Sequence, residues 1–329
     1  MQEAATIDDI RAARERLKGA ARVTPLLESD ALNAIAGRRV LVKAECLQRT
    51  GSFKFRGAWN ALSSLDPTAR RKGVLAYSSG NHAQGVALAA KLHGAPAVII
   101  MPEDAPAAKI SGTKGYGAEV VTYDRYHGNR EEIGARIAAE RGLSLVRPYD
   151  EPKVIAGQGT TGLEIAEQAA AAGVTEADVI VCCGGGGLSA GVALALEGAA
   201  PGLRLRTAEP EGHDDMARSL ASGSRERNAP GASICDAIVT PTPGELTFPI
   251  LKRIAGPGFA VADEEARAAM ALAWRHLKIV AEPGGAVALA AAIFRKEEIE
   301  GDAVIVTVSG GNVDMAVFAA ALSDYGDAP

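Results

Sequence analysis

The chain has 329 residues, of which 47% are hydrophobic, 23% charged and 4% aromatic, and its formal charge is −5. So high an apolar share at modest charge excludes intrinsic disorder, glycine without a three-residue period excludes collagen, and an acidic balance without a long basic run excludes a nucleic-acid partner. No stretch is long and apolar enough for a membrane span and Met1–Ala20 is too charged for a signal peptide, so a soluble, cytoplasmic protein without a membrane partner is expected.

Gly51-Ser52-Phe53-Lys54-Phe55-Arg56-Gly57 leads into a helical pattern carrying Ala58, Trp59, Ala61 and Leu62. A strand signal at Val74–Tyr77 runs into the turn Ser78-Ser79-Gly80-Asn81-His82 and a helix from Ala83 to His93. Ala97–Met101 and Glu119–Tyr123 read as short buried strands. Asp178–Cys183 is another, followed by Gly184-Gly185-Gly186-Gly187 and a helix from Leu188. Arg204–Glu209 and Ala303–Ser309 repeat the strand signal, with the polar stretch Ser222–Gly231 between them as a surface loop. Strands alternating with helices at this spacing predict parallel βαβ units, and the Ser, Gly and Asn clusters fall at the strands' carboxyl edges, where open α/β sheets bind ligands. Cysteines 46, 182, 183 and 235 form no C-x-x-C pair, so neither a disulfide framework nor a thiolate zinc site is expected.

Four consecutive glycines at a strand-to-helix junction let main-chain N–H groups converge on an anion at the positive end of a helix. The run lacks the Lys-Ser/Thr ending of a P-loop and does not match G-x-G-x-x-G, so it predicts a phosphate without a nucleotide; a tight turn is the plainer alternative. Lys54, set between two aromatics, has the surroundings of a lysine whose lowered pKa makes it a nucleophile toward an aldehyde; a surface lysine fits the same spacing. Glu209, His213 and Asp215 could bring two carboxylates and a main-chain carbonyl around a hard cation, or simply form a solvated acidic loop.

Taken together, Val23-Thr24-Pro25-Leu26, Ser52–Gly57, Ser78–His82, Ile155–Thr160, Gly184–Gly187, Ala208-Glu209-Pro210, Glu282-Pro283 and Ser309–Asp314 resemble the fold type II (tryptophan-synthase-β-like) family of pyridoxal-phosphate enzymes. Within it the likeness is to the branch of serine/threonine dehydratases, 3-hydroxyaspartate dehydratases and serine racemases, and it covers nearly the whole chain. The resemblance implies an α/β fold of two open, twisted, mostly parallel sheets flanked by helices. A smaller domain (71–150) is inserted in a larger one (1–70 and 151–329), with the cofactor in the cleft between them.

It further implies that Lys54 binds pyridoxal 5'-phosphate covalently and later serves as base for the α-proton. Phe53 packs beside the pyridine ring, Asn81 bonds its 3-hydroxyl oxygen, Gly184, Gly185, Gly186 and Gly187 bind the phosphate, and Ser309 faces the ring nitrogen. A serine there does not enforce protonation of that nitrogen, which suits β-elimination of water from a 3-hydroxy amino acid to an oxo acid and ammonia. Ser79 is implied on the opposite ring face, where it keeps amino-acid racemisation open, and the Ser78–His82 turn grips the substrate carboxylate, with His82 either a further donor or a structural cap in the helix's first turn. Arg130 aligns with an arginine expected near a second substrate carboxylate, as in 3-hydroxyaspartate; an exposed helix arginine is the alternative. Glu209, His213 (through its carbonyl) and Asp215 become a site for Mg²⁺, or Ca²⁺ or Mn²⁺.

Asp236, Glu245 and Glu282 belong to loops shaping the cofactor site, outside the catalytic set. A homodimer is expected by the same resemblance. The chain ends soon after Asp314, so the C-terminal regulatory domain of some threonine dehydratases is not expected. A non-catalytic small-molecule-binding α/β protein is the reading of another class.

Overall fold

In the computed structural model, which describes residues 4–105, 107–124 and 128–326, the apolar runs become strands of two separate sheets. In chain order these are β1 (Leu26–Leu27), β2 (Arg39–Ala44), β3 (Val74–Tyr77), β4 (Ala97–Pro102), β5 (Glu119–Tyr123), β6 (Ser144–Leu145), β7 (Ala177–Cys182), β8 (Leu203–Pro210), β9 (Phe259–Val261) and β10 (Ala303–Val308). The larger sheet has the order β1-β2-β10-β7-β8-β9 and the smaller β5-β4-β3-β6. Every neighbouring pair is parallel except β1 with β2.

Because side chains alternate across a strand, the nearly continuous apolar runs supply two cores per sheet. Val304, Val306 and Val308 of β10 and Ile180 and Cys182 of β7 face one core, while Ile305, Val179 and Val181 face the other. The smaller sheet divides likewise, with Val74, Ala76 and Ile99 on one side and Leu75, Val98 and Ile100 on the other. In each sheet the strand order reverses at one point. From β3 the chain builds outward to β4 and β5 on one side and returns to β6 on the other. From β7 it builds to β8 and β9, while β10 and β2 lie opposite. Such switch points open a crevice at the carboxyl ends, and those ends are where the Ser78 turn, the glycine run and Ser309 stand.

Strand β2 carries Lys43, wholly buried, and Glu45 and Arg56 just beyond it are buried too. The Arg56 guanidinium donates to both Glu45 oxygens at 2.8 Å and to both Glu164 oxygens at 2.6 and 2.8 Å. Lys43 donates to Glu164 at 2.7 Å, to the Thr24 carbonyl at 2.7 Å and to Gln168 at 2.8 Å. Burial alone would raise the Glu45 carboxyl; the Arg56 guanidinium and the Lys43 ammonium outweigh it and hold the group below its ordinary value. Two cations and two anions thus close an ion cluster joining β2, the helix Lys54–Ser63 and the long helix Pro152–Ala171. Those two helices also approach backbone to backbone, since a Cβ on Gly157 would lie 2.7 Å from the Cα of Gly57.

Removing one member leaves an uncompensated buried charge. Arg56→Met is expected to lower the free energy of unfolding by about 3–5 kcal/mol in chemical denaturation, well beyond the loss from Arg136→Met at an exposed ion pair.

Candidate active site

A cleft of about 710 Å³ opens between the carboxyl edges of the two sheets. Its lining includes Phe53, Lys54, Ser78, Ser79, Asn81, His82, Arg130, the four glycines and Ser309, which brings together every cofactor and substrate residue expected from the sequence.

Lys54 begins the helix Lys54–Ser63, and local backbone geometry fixes its position. Thr50 and Gly51 both adopt left-handed φ (61° and 74°), turning the chain so that Ser52 bridges Gly310 and the Phe53 N–H donates to the Ser309 carbonyl at 3.1 Å. Lys54 and Ser309 are therefore tied together through main chain. Against the other side, Gly85 in the helix Asn81–His93 packs on the Lys54 backbone, where a Cβ would lie 3.1 Å from the Lys54 carbonyl carbon. The Lys54 amine donates to the Pro148 carbonyl at 2.8 Å and stands 5.1 Å from the Phe53 ring centroid. Burial lowers its pKa to about 8, with Glu282 opposing the shift. A substantial share of the amine is thus neutral near physiological pH, as a nucleophile or base requires.

The glycine run joins β7 to the helix Gly187–Ala199, and Gly186 has φ +90°. A Cβ on Gly184 would lie 2.8 Å from the Ile238 carbonyl oxygen, one on Gly187 2.9 Å from the Tyr149 Cα, and one on Gly185 would overlap the Tyr149 ring. Side chains are excluded here by close approach. The main-chain N–H groups of Gly184, Gly185 and Gly186 bond no other described residue, while the Gly185 carbonyl is held by Thr247 Oγ1 at 2.6 Å. Bare N–H groups at a helix N-terminus suit a phosphate monoester, and a neutralisable lysine in the same cleft suits an aldehyde. The residues present fit pyridoxal phosphate.

Asn81 is clamped on both ends. Its Oδ1 accepts from Asn312 Nδ2 at 2.7 Å and its Nδ2 donates to Glu282 Oε1 at 2.6 Å, which leaves one amide hydrogen for a ligand oxygen. Burial raises the Glu282 carboxyl to about 7, opposed by the Asn81 hydrogen bond. Glu282 lines the cleft, as do Asp236 and Glu245, in keeping with the site-shaping loops expected for all three, and its bond to Asn81 is a contact that the sequence does not announce. The sequence signal for Glu282 was the Glu282-Pro283 pair opening a glycine-containing helix. Tyr149, Asp150 and Arg147 line the cleft as well and had no recognised motif.

The expected role of His82 needs correction. Its Nε2 is 2.9 Å from the Val146 carbonyl, so that nitrogen carries the proton and donates it there. Burial and the nearby Lys54 drive its pKa to about 3, so the ring is neutral and its Nδ1 can only accept. The His82 ring therefore anchors the turn to the segment after β6 and has no N–H to offer a substrate carboxylate, whereas the His82 main-chain N–H, in the first turn of the helix Asn81–His93, bonds no described residue. Ser78 Oγ accepts from the Gly80 N–H at 3.2 Å, shaping the same turn, and Ser79 faces the cleft from it. Arg130 opens the helix Arg130–Arg141; it is exposed and nonetheless lines the cleft.

The acidic trio lies apart from the cleft. Glu209, at the end of β8, accepts from the Met216 and Ala217 N–H groups at 3.0 and 2.7 Å. Asp215 Oδ1 accepts from Asn228 at 2.5 Å, but its Oδ2 is buried without a hydrogen-bond partner, and so is His213 Nδ1. Burial followed by the Asp215 charge raises Glu209 well above the usual range. Among the described residues no group of three or more His, Cys, Asp or Glu side chains is arranged to hold a metal ion. The two carboxylates and the orphaned oxygen fit a hard cation only with oxygen ligands from outside that set, such as the expected main-chain carbonyl.

Comparison with known proteins agrees with this geometry. The family model for pyridoxal-phosphate dependent enzymes matches residues 17–311. The chain is 44% identical over 325 residues to an L-threo-3-hydroxyaspartate ammonia-lyase of Saccharomyces cerevisiae, covering 98% of each chain. It is 43% identical to a serine racemase of Schizosaccharomyces pombe, covering 97% of each. The crystal structure of serine racemase from Dictyostelium discoideum superposes with a TM-score of 0.87 at 38% identity, over 95% of this chain and 100% of that one. The chain belongs to the pyridoxal-phosphate dependent enzyme family, with the fold type II architecture.

Raised carboxyls favour the native state only while protonated. Glu282 keeps a proton in the folded protein that the unfolded chain releases near pH 4.5, so its contribution declines as pH rises from about 4.5 to about 7. Glu282→Gln is expected to remove up to about 3 kcal/mol of that decline, read as the difference in unfolding free energy between wild type and variant at pH 5 and pH 8.

Proposed function

We propose that the protein is an ammonia-lyase that eliminates water from a 3-hydroxy amino acid, with 3-hydroxyaspartate favoured over serine and threonine. The observation that carries the reaction type is the pairing, in one cleft, of a Lys54 amine depressed to about 8 with a neutral Ser309 hydroxyl at the end of β10. The relatives named as L-threo-3-hydroxyaspartate ammonia-lyases support the substrate class, as does Arg130 at the cleft.

Bound through its aldehyde, pyridoxal phosphate supplies an electron sink that makes the substrate α-carbon acidic. The chain does the rest. Gly184 to Gly187 would hold the phosphate by main-chain N–H groups, Phe53 would pack at the ring, Asn81 would give its free amide hydrogen to the 3-oxygen, and Ser309 would bond the ring nitrogen without forcing a proton onto it. The Lys54 amine would take the α-proton and return a proton to the departing 3-hydroxyl, which would leave as water. The resulting enamine tautomerises to an imine, which adds water and releases ammonia and a 2-oxo acid. The Ser78–His82 turn would hold the substrate carboxylate, without the His82 ring, and Arg130 would meet a second one.

Racemisation is the second reading. Ser79 on the opposing turn and the relatives named serine racemase favour it as a side activity, with Ser79 returning a proton to the second face.

Glu209 and Asp215, with the His213 carbonyl, form the Mg²⁺ site of the same proposal, which Ca²⁺ or Mn²⁺ would also fit; the orphaned Asp215 Oδ2 supports it. Residues 71–150 are proposed as a smaller domain inserted between 1–70 and 151–329, supported by the confinement of β3 to β6 within that stretch. A homodimer is supported by the exposed Trp274, Met315 and Val317. A cytoplasmic location is supported by four free cysteines; in addition, no helix among the described residues is long and apolar enough to cross a membrane.

A panel of 3-hydroxy amino acids assayed for oxo-acid release tests the proposal. Oxo acid should form fastest from 3-hydroxyaspartate, and Lys54→Ala should lose roughly 10³-fold or more. Accumulation of D-serine without oxo acid would select the racemase reading. Chelation should lower both activity and Tm; unchanged values would remove Glu209 and Asp215 from metal binding.

A further inference from the structure

We infer that Arg147 is a second substrate-binding arginine, which together with Arg130 holds the distal carboxylate of a dicarboxylic substrate. This rests on the lyase reading for the reaction but not for the ligand class.

Arg147 lies between the two residues whose carbonyls hold the reaction centre. Val146 accepts from His82 Nε2 at 2.9 Å and Pro148 accepts from Lys54 Nζ at 2.8 Å. All described peptide bonds here are trans, so the Arg147 Cα stands about 3.8 Å from the Cα atoms of both neighbours. Its own N–H is fixed to Glu151 Oε2 at 2.7 Å, which anchors the main chain and leaves the guanidinium unused. Neither the Arg147 nor the Arg130 guanidinium bonds a side chain among the described residues, whereas Arg39, Arg56 and Arg204 each hold a carboxylate within 2.8 Å.

Both arginines line the cleft that contains Lys54. They also share a neighbour. Burial raises the Tyr77 phenol, Arg147 and Arg130 both pull against it, and Glu131 adds to it, so both cations act on one hydroxyl of a residue that lines the same cleft. Glu131 and Glu151 are the acidic groups facing this pair. Glu131 is exposed on the first turn of its helix, and Glu151 is occupied by the Arg147 N–H. Two unpaired guanidiniums at the mouth of a site that already binds an amino-acid carboxylate on the Ser78 turn are placed for a second carboxylate, and their planar forks suit one. A hydroxyl or methyl side chain offers them nothing to bind. The arrangement thus discriminates between 3-hydroxyaspartate and threonine by charge.

The test uses the holoenzyme and two unreactive probes, succinate and butyrate, with binding read calorimetrically, alongside kcat/KM for 3-hydroxyaspartate and serine. Wild type should prefer succinate. Arg147→Gln should lose roughly 10- to 100-fold in succinate affinity and in kcat/KM for 3-hydroxyaspartate, while butyrate and serine change by less than about threefold. The cofactor absorbance and Tm should stay as in wild type. With Arg130→Gln added, the combined loss should fall short of the product of the single losses, because both side chains bind one carboxylate. Equal losses for succinate and butyrate, or none for either, would overturn the inference. A protein that releases no oxo acid yet keeps an Arg147-dependent succinate preference would refute the lyase reading and support the clamp.

Discussion

The buried cluster of Lys43, Glu45, Arg56 and Glu164 is the interaction on which the site depends. Arg56 is two residues beyond Lys54 on the same helix, and its five donors are spent on two carboxylates from different elements, on the Thr160 hydroxyl and on the Arg22 carbonyl. Charges removed from water are costly unless fully paired, so the helix has one well-satisfied position and poor alternatives. That position points Lys54 into the cleft while Arg56 points into the ion cluster. A hydrophobic pair could have packed there with similar stability; the forked guanidinium also fixes rotation about the helix axis.

From that anchor the cleft is assembled by close backbone approach. Gly157 lets the long helix touch the Lys54 helix, Gly85 lets the helix after the Ser78 turn reach the Lys54 main chain, and Gly185 leaves room for the Tyr149 ring beside the phosphate loop. Onto this frame are hung small polar relays: Thr50 carbonyl to Asn312, Asn312 to Asn81, Asn81 to Glu282. Each has little freedom, because each acceptor is already committed. The glycine abundance of the chain is in part this requirement for contact without side chains, and in part bare N–H groups presented to an anion.

Strands β3, β4, β7 and β10 were legible as apolar runs, β5 from its Val120-Val121 pair and β8 from the alternation of Leu203 and Leu205 with Arg204 and Arg206, and all fall where the pattern puts them. Strand β2 was not, because Arg39 and Lys43 break its run and nothing local announces that Lys43 will be neutralised by Glu164, 121 residues away. Short β1, β6 and β9 have too few residues to show a period. Lys54, the glycine run, Asn81 and Ser309 could be named because ordered motifs carry them. Glu282, Arg147 and Tyr149 could not be assigned, since their roles come from which loops meet across the cleft. For His82 the sequence leaves donor and structural roles open, and the Val146 carbonyl that engages its ring is 64 residues distant and silent as a main-chain atom.

The central claim is that Lys54, held by the Pro148 carbonyl and backed by the ion cluster, is the amine that carries the cofactor. Reducing the holoenzyme with borohydride and mapping the pyridoxyl adduct by peptide mass spectrometry tests it most directly. The account predicts a single labelled peptide spanning Phe53–Arg56 with the adduct on Lys54. Label on Lys109, the other lysine lining the cleft, with Lys54 unmodified would contradict it.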